Sequence, residues 1–270
     1  NLLSARRMLV PLTMPSRRVA RAFGPMLEEL GLMAVAGSLG RGPVEYDLQT
    51  IVMEPGSMLS IPLGFGDLEF GAAGTVTEVL PDGRVLAFGH SMFGDGPASL
   101  PMASGYVHFI VSNQISSFKL SGSAVMRGAI VRDELSAIVG VPDRKIHTAP
   151  IEVKLTLPGE EQRVFEYQVV DHRIFTPVVA AVFVMQSVES SQNLPPENTA
   201  RMRGHMRFSG NRELTLDTLM PGASGQIMSF EIMPLIASMI DNTFERSRLE
   251  SMSVTIDVDN RMRSATVVAA

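Results

Sequence analysis

The chain has 270 residues, of which 45% are hydrophobic and 19% charged, so it is long and apolar enough to bury a sizeable core. A net charge of −5 and a sequence pI of about 5.6 give no sign of the basic surface that nucleic-acid binding requires. Because cysteine is absent, disulfide bonds, thiolate nucleophiles and cysteine-ligated metals are excluded. The 23 glycines and 17 prolines indicate many turns and therefore β structure.

Residues 1–43 are predicted to form an N-terminal segment built around one helix. Apolar residues recur at helical spacing from Ser16 to Gly31, with Ser16 as the N-cap and Gly31 at the end. Residues 1–16 predict a strand and a turn, and residues 37–43 a flexible connector. The chain starts on Asn1 rather than methionine, so we expect a processed product or a chain whose upstream part is missing.

Residues 44–148 are predicted to form a β domain. Short apolar runs separated by Gly, Pro, Ser or Asp are typical of strands in a barrel or a sandwich. The predicted strands are Leu48 to Met53, Met58 to Leu63, Asp67 to Phe70, Gly74 to Leu80, Arg84 to Phe88, Tyr106 to Ser112, Ser117 to Leu120, Ala124 to Arg132 and Ser136 to Val141.

The most informative stretch of this domain is a predicted hairpin that ends on a histidine. The strands Gly74 to Leu80 and Arg84 to Phe88 flank Pro81-Asp82-Gly83, which supplies the backbone conformation of a tight turn. His90 follows the second strand and precedes the glycine-rich loop from Ser91 to Gly96. A side chain that titrates near neutrality at this position suits proton transfer, although a lone histidine at a strand end is more often a structural hydrogen-bond donor.

Residues 149–270 predict a smaller α+β domain in which hairpins alternate with helices. The elements are a hairpin of Ile151 to Leu157 with Arg163 to Val170, a helix with Thr176 as N-cap and Pro177 in its first turn, a hairpin of Arg201 to Phe208 with Glu213 to Asp217, a helix from Gln226 to Ile240 kinked or broken at Pro234, and a pair of Leu249 to Val258 with Met262 to Val268.

The hairpin residues resemble the SpoIVB-type serine peptidases of bacteria. The likeness is most specific in two motifs, G-T-V-T and R-V-L-A-F-G-H, the second of which ends on His90. It continues through Tyr106 to Gly140. It implies a two-barrel, chymotrypsin-like β fold. Together with the element pattern, the expected architecture is mainly β, with a chymotrypsin-like β-barrel domain and a smaller hairpin-helix module at the C-terminal end. The likeness also implies that His90 is the general base of the peptidase, that the substrate is a protein or peptide, and that the location is extracytoplasmic: periplasmic, secreted or cell-surface.

The nucleophile is the part of the family pattern that this sequence lacks, because the G-M-S-G-S-P stretch of the family is absent. Ser224, in the only G-x-S-G of the chain, is the candidate here, since small neighbours expose its Oγ and aim amide N–H groups at an oxyanion. It also precedes a helical pattern, where serine is a favoured N-cap. The alternative is a nucleophile in residues upstream of Asn1. Ser91, Ser104 and Ser117 stand in no recognisable nucleophile context.

The acid that would orient the histidine is a choice between two residues of the glycine-rich region. Asp95 is the first candidate and Asp67 the second, and Asp95 is equally a turn-forming residue. No cofactor or metal is predicted, because the other histidines stand alone, without metal-binding spacing, at His108, His147, His172 and His205.

Two functions therefore stay open. One is a serine peptidase that uses His90 as general base, with Ser224 or an upstream serine as nucleophile. The other is a non-catalytic relative that keeps the β scaffold to bind protein or cell-envelope partners. No run of apolar residues is long enough to span a membrane.

Overall fold

A computed structural model describes residues 10–37, 47–112, 118–242 and 244–263 of the chain. The protein is mainly β, as the sequence predicts, and it divides into two compact units between His147 and Thr148. Across the described residues, no helix has both the length and the apolar character needed to cross a membrane.

The first unit contains one α-helix and eight strands among its described residues. In chain order these are β1 (Val10–Met14), α1 (Arg17–Glu29), β2 (Leu32–Ala36), a 3-10 turn (Leu48–Thr50), β3 (Met58–Gly66), β4 (Phe70–Val79), β5 (Val85–Ala87), β6 (Gly96–Val111), β7 (Phe118–Glu134) and β8 (Ala137–Pro142).

Six of these strands form a partial ring. β4 pairs with β3 on one side and with β5 on the other, and β5, β8, β7, β6 and β3 follow one another around the ring. The pairing of β3 with β6 is short and joins Leu59 to Ser104 and Ser60 to Ala103. Every strand of the ring contributes buried apolar side chains, among them Leu59, Ile61, Phe70, Val85, Leu100, Ile130 and Ile138.

The N-terminal helix forms as predicted, and the strands on either side of it, β1 and β2, extend the sheet of the first unit. The Ser16 hydroxyl accepts a hydrogen bond from the Val19 N–H (3.3 Å) and caps α1, whose buried face includes Phe23. Gly31 follows the helix with φ of 80°, a left-handed conformation that favours glycine. β1 is parallel to β2 and antiparallel to β4, which ties this segment to the ring. The predicted connector at residues 38–43 lies outside the described residues.

Three parts of the predicted strand pattern are wrong. Asp67 to Phe70 is not a strand of its own, because only Phe70 is extended and it begins β4. Leu48 to Met53 is not a strand, because the Asp47 side chain accepts the Gln49 N–H (2.9 Å) and starts a 3-10 turn instead. The separate strands predicted from Tyr106 and from Ala124 belong to the long strands β6 and β7. These strands change register several times, so glycines and prolines fall at irregularities inside them rather than at their ends.

The second unit is an α+β module. Its described elements are β9 (Thr148–Thr156), β10 (Arg163–Val170), α2 (Phe175–Glu189), β11 (Thr199–Phe208), β12 (Arg212–Pro221), α3 (Gly225–Ile240) and β13 (Leu249–Asp259). The strand order is β12-β11-β13-β9-β10, in which only β13 and β9 are parallel. α2 is buried over nearly its whole length and packs against α3 and the strands β9 and β10.

The structure changes two details of the predicted second unit. α2 begins at Phe175, before the predicted cap Thr176, whose hydroxyl donates to the Val170 carbonyl (2.6 Å) and accepts the His172 N–H (2.9 Å). β13 pairs with β11 and β9. Most of the partner strand predicted for it, residues 264–268, lies outside the described residues.

Candidate active site

The β4–β5 hairpin fixes the place where His90 leaves the sheet. At its turn the Asp82 carboxylate accepts hydrogen bonds from Arg84 N (3.2 Å) and Arg84 Nε (2.7 Å). Two hydrogen bonds hold the pKa of Asp82 below its ordinary value. The bond from the Arg84 backbone N–H has the larger effect, and the bond from the Arg84 guanidinium has the next largest. Gly83 has φ of 82°, as a tight turn requires. The hairpin predicted from the sequence is therefore confirmed.

Two consecutive left-handed residues turn the chain out of β5 and into the histidine. Phe88 has φ of 73° and Gly89 has φ of 74°. Such a conformation is strained for phenylalanine and must be held by its surroundings. The Phe88 ring occupies the place where a Cβ on Gly74 would lie, and its centroid is 5.6 Å from that of the His90 ring. The glycine of β4 thus makes room for the aromatic ring beside the histidine.

The His90 ring is half-buried, and one of its nitrogens has a defined partner. Nδ1 lies 2.7 Å from the backbone carbonyl oxygen of Ser91. A carbonyl oxygen can only accept, so this contact places the proton on Nδ1. In the neutral ring Nε2 then carries the lone pair and is the basic atom. This is the tautomer that a general base of serine hydrolysis uses.

The loop after His90 is held by a residue that the sequence analysis missed. Asp133, at the end of β7, is only 2% exposed. Its Oδ1 accepts the Met92 N–H (2.7 Å), and its Oδ2 accepts the N–H groups of Phe93 (2.6 Å) and Gly94 (2.8 Å). One buried carboxylate therefore binds three consecutive backbone amides.

The sequence carries only a weak signal for this contact. Asp133 stands between Arg132 and Glu134 at the end of a predicted strand, where a charged residue usually reaches solvent. About forty residues separate it from the amides that it binds. Only the pairing of β6 with β7, which places Asp133 opposite Gly96, brings it to the loop.

The two predicted acids, Asp95 and Asp67, lie in the loop after His90 and beside a cavity of the first unit. Asp95 is exposed and lies between Gly94 and Gly96, both of which have positive φ. His90 Nδ1 donates its hydrogen bond to the Ser91 carbonyl oxygen, at the position where a carboxylate acceptor is expected. Asp67 lines a cavity of about 240 Å³ together with Glu69.

Ser224 has a defined structural role in the second unit. Its Oγ accepts a hydrogen bond from the Ile227 N–H (3.3 Å), and it is the N-cap of α3. The capping alternative derived from the sequence is thus confirmed. α3 continues through Pro234, so the helix is not broken there. Gly222, two residues before the serine, has φ of 62°. His90 belongs to the first unit and Ser224 to the second.

The hydroxyls of Ser60, Ser104 and Ser123 make hydrogen bonds inside the first unit. Ser104 is buried, with its Oγ 3.4 Å from the Val125 carbonyl. Ser123 Oγ donates to Glu69 Oε1 (2.7 Å) and lies 2.6 Å from Ser60 Oγ, beside the 240 Å³ cavity. Ser117 lies outside the described residues.

In the described part of the chain, no three His, Asp or Glu side chains are grouped so that they could hold a metal ion. His205 Nε2 instead lies 3.2 Å from Glu213, and His172 Nδ1 accepts the N–H groups of Ile174 (3.2 Å) and Phe175 (3.3 Å) at the start of α2.

Comparison of the chain with protein-family models, with curated proteins and with solved structures gave no match.

Proposed function

We propose that this chain is a SpoIVB-like serine peptidase domain in which His90 is the general base. The observation that carries the proposal is the hydrogen bond from His90 Nδ1 to the Ser91 carbonyl (2.7 Å), which leaves Nε2 as the basic atom of a half-buried ring. The sequence likeness from Gly74 to His90 supports the same role.

The proposed chemistry is acyl transfer through a serine. His90 Nε2 removes the proton of the serine Oγ while that oxygen attacks the carbonyl carbon of the scissile peptide bond. The imidazolium then gives this proton to the leaving amine, and an ester between serine and substrate remains. Water, activated by the same nitrogen, hydrolyses the ester and releases the free serine.

The fold proposed to support this chemistry is a chymotrypsin-like β barrel. Its support is the partial ring of β3 to β8, with His90 at the end of the short strand β5. The substrate would be a protein or peptide, and the location extracytoplasmic, as the family likeness implies.

The nucleophile is Ser224 or a serine that lies upstream of Asn1. For Ser224 to act, its hydroxyl must give up the hydrogen bond from the Ile227 N–H. The loss of one N-cap costs about 1 kcal/mol, which a bound substrate can offset.

The test combines hydrolysis with covalent labelling. The full-length protein is incubated with a fluorescently labelled unfolded protein substrate and, separately, with a fluorophosphonate probe, and the modified residue is located by mass spectrometry. The peptidase function is supported if the protein hydrolyses the substrate, if the probe blocks this hydrolysis, and if the probe labels one serine. A label that Ser224→Ala removes identifies Ser224, whereas a label on another serine identifies that residue. Neither hydrolysis nor label would overturn the proposal.

The second function is a non-catalytic scaffold that binds protein or cell-envelope partners. It is favoured by one observation, that Ser224 Oγ is engaged as a helix cap. The scaffold function predicts that His90→Ala leaves partner binding unchanged, whereas the peptidase function predicts that it abolishes hydrolysis.

A further inference from the structure

The buried carboxylate of Asp133 and the ring of His90 are joined by a single peptide group. The Ser91–Met92 peptide presents its carbonyl oxygen to His90 Nδ1 (2.7 Å) and its N–H to Asp133 Oδ1 (2.7 Å). The charged group and the imidazole therefore act on opposite ends of the same amide.

An amide transmits charge between these two ends. The peptide bond is conjugated, so an anion at its N–H increases the negative charge on its carbonyl oxygen. Hydrogen bonds in series strengthen one another, most of all where solvent is excluded. Asp133 is 2% exposed, which keeps water from weakening its effect. The Ser91 oxygen is thus a stronger acceptor than an ordinary carbonyl.

The bonds of Asp133 fit an ionised carboxylate. Both oxygens accept, and all three donors are backbone N–H groups, which have no lone pair to offer to a protonated carboxyl group. Buried charge is tolerated only where such bonds compensate for the lost hydration. A neutral residue could hold part of the loop, but it would not polarise the Ser91–Met92 peptide.

We propose that Asp133 is the positioning residue of His90 and acts through the Ser91–Met92 peptide. It holds the imidazole in the Nδ1–H tautomer, which leaves the lone pair on Nε2 to take a proton. A carboxylate, a peptide and an imidazole in series here take the place of the direct carboxylate–imidazole pair of serine peptidases. This inference rests on the proposed role of His90 as general base.

The test uses Asp133→Asn in the full chain, with Asp82→Asn as the control. Both changes remove one carboxylate charge from the first unit, but Asp82 lies at the exposed β4–β5 turn, where it binds Arg84. The 15N chemical shifts of the two ring nitrogens of His90 report the tautomer of the neutral ring. Wild type and Asp82→Asn are expected to show the Nδ1–H form. In Asp133→Asn we expect the population of the Nε2–H form to be at least severalfold larger than in wild type.

A second readout keeps the inference separate from the proposed function. If the protein hydrolyses its substrate, Asp133→Asn should lower kcat at least tenfold and change KM less than twofold, because the tautomer matters to proton transfer and not to substrate binding. A shifted tautomer in a protein without any hydrolysis would support the link to Asp133 and overturn the peptidase function. An unchanged tautomer in folded Asp133→Asn would overturn the inference whatever the activity.

Should Asp133→Asn fail to fold, the wild-type protein supplies the measurement. As the His90 ring is titrated, the amide proton of Met92 is expected to move further than that of Gly94. Both amides bind Asp133, but only the Met92 N–H belongs to the peptide that His90 contacts. Equal movement of the two amides would overturn the inference.

Discussion

The Phe88 ring lies where a side chain on Gly74 would otherwise be, and this contact accompanies the strained backbone that leads to His90. Gly74→Ala would drive a Cβ into that ring. We expect a loss of about 1–3 kcal/mol in the free energy of unfolding, the usual result of overpacking. Displacement of Phe88 should also move the His90 ring resonances. Urea unfolding and 1H–15N spectra measure the two effects.

Gly204→Ala is the matched control for this change. Gly204 also lies inside a strand, but its added Cβ would meet Leu216 Cβ at 3.5 Å, an ordinary contact. We expect a change within about 0.5 kcal/mol and unaltered His90 resonances. Equal stability of the Gly74 variant and wild type would show that Phe88 does not need the space at Gly74.

The cap of α3 allows the two roles of Ser224 to be separated. Ser224→Ala removes the acceptor for the Ile227 N–H and should destabilise the protein by about 1 kcal/mol. Ser224→Asn replaces the hydroxyl with an amide oxygen that caps helices equally well, so its stability should match wild type. Thermal unfolding of the three proteins gives the comparison.

The asparagine variant also isolates catalysis, because it has a cap but no nucleophile. If Ser224 is the nucleophile, Ser224→Asn is fully stable and inactive. An active Ser224→Asn would assign the chemistry to another serine, and an unstable one would show that the cap geometry is specific to the hydroxyl.

The pair of Arg201 and Asp217 on the β11–β12 hairpin gives a prediction about pH. Nε and a terminal nitrogen of Arg201 donate to the two Asp217 oxygens (2.9 and 2.7 Å), and this hydrogen bonding holds the pKa of Asp217 below its ordinary value of 3.8. Because the folded-state pKa is lowered, the stabilisation is complete above 3.8 and is lost as the pH falls through the folded-state pKa.

In Arg201→Gln the titration midpoint of the Asp217 carboxyl carbon should therefore rise towards 3.8. Arg163→Gln is the control, since Arg163 pairs with Glu160 on another hairpin and should leave Asp217 unchanged. Asp217 is exposed, so the effect on global stability should be small. An unchanged Asp217 midpoint in Arg201→Gln would contradict the pairing.

Local signals in the sequence were enough to predict much of the fold. Asp82-Gly83 specified the β4–β5 turn, and Ser16 and Ser224 marked the starts of two helices, since these effects act within a few residues. The length of β6 and β7 could not be predicted, because glycine and proline break a strand or sit at a bulge according to the partner strand. The Asp133 contact also depends on that long-range pairing.

His90→Asn gives the most direct test of the central claim that His90 is a general base. The asparagine amide nitrogen stands at the place of Nδ1 and can still donate to the Ser91 carbonyl, but the side chain cannot accept a proton at neutral pH. The rate of substrate hydrolysis by the full-length protein should fall by about 10²–10⁴, with unchanged amide exchange in the strands of the ring. Hydrolysis within twofold of the wild-type rate would contradict the account.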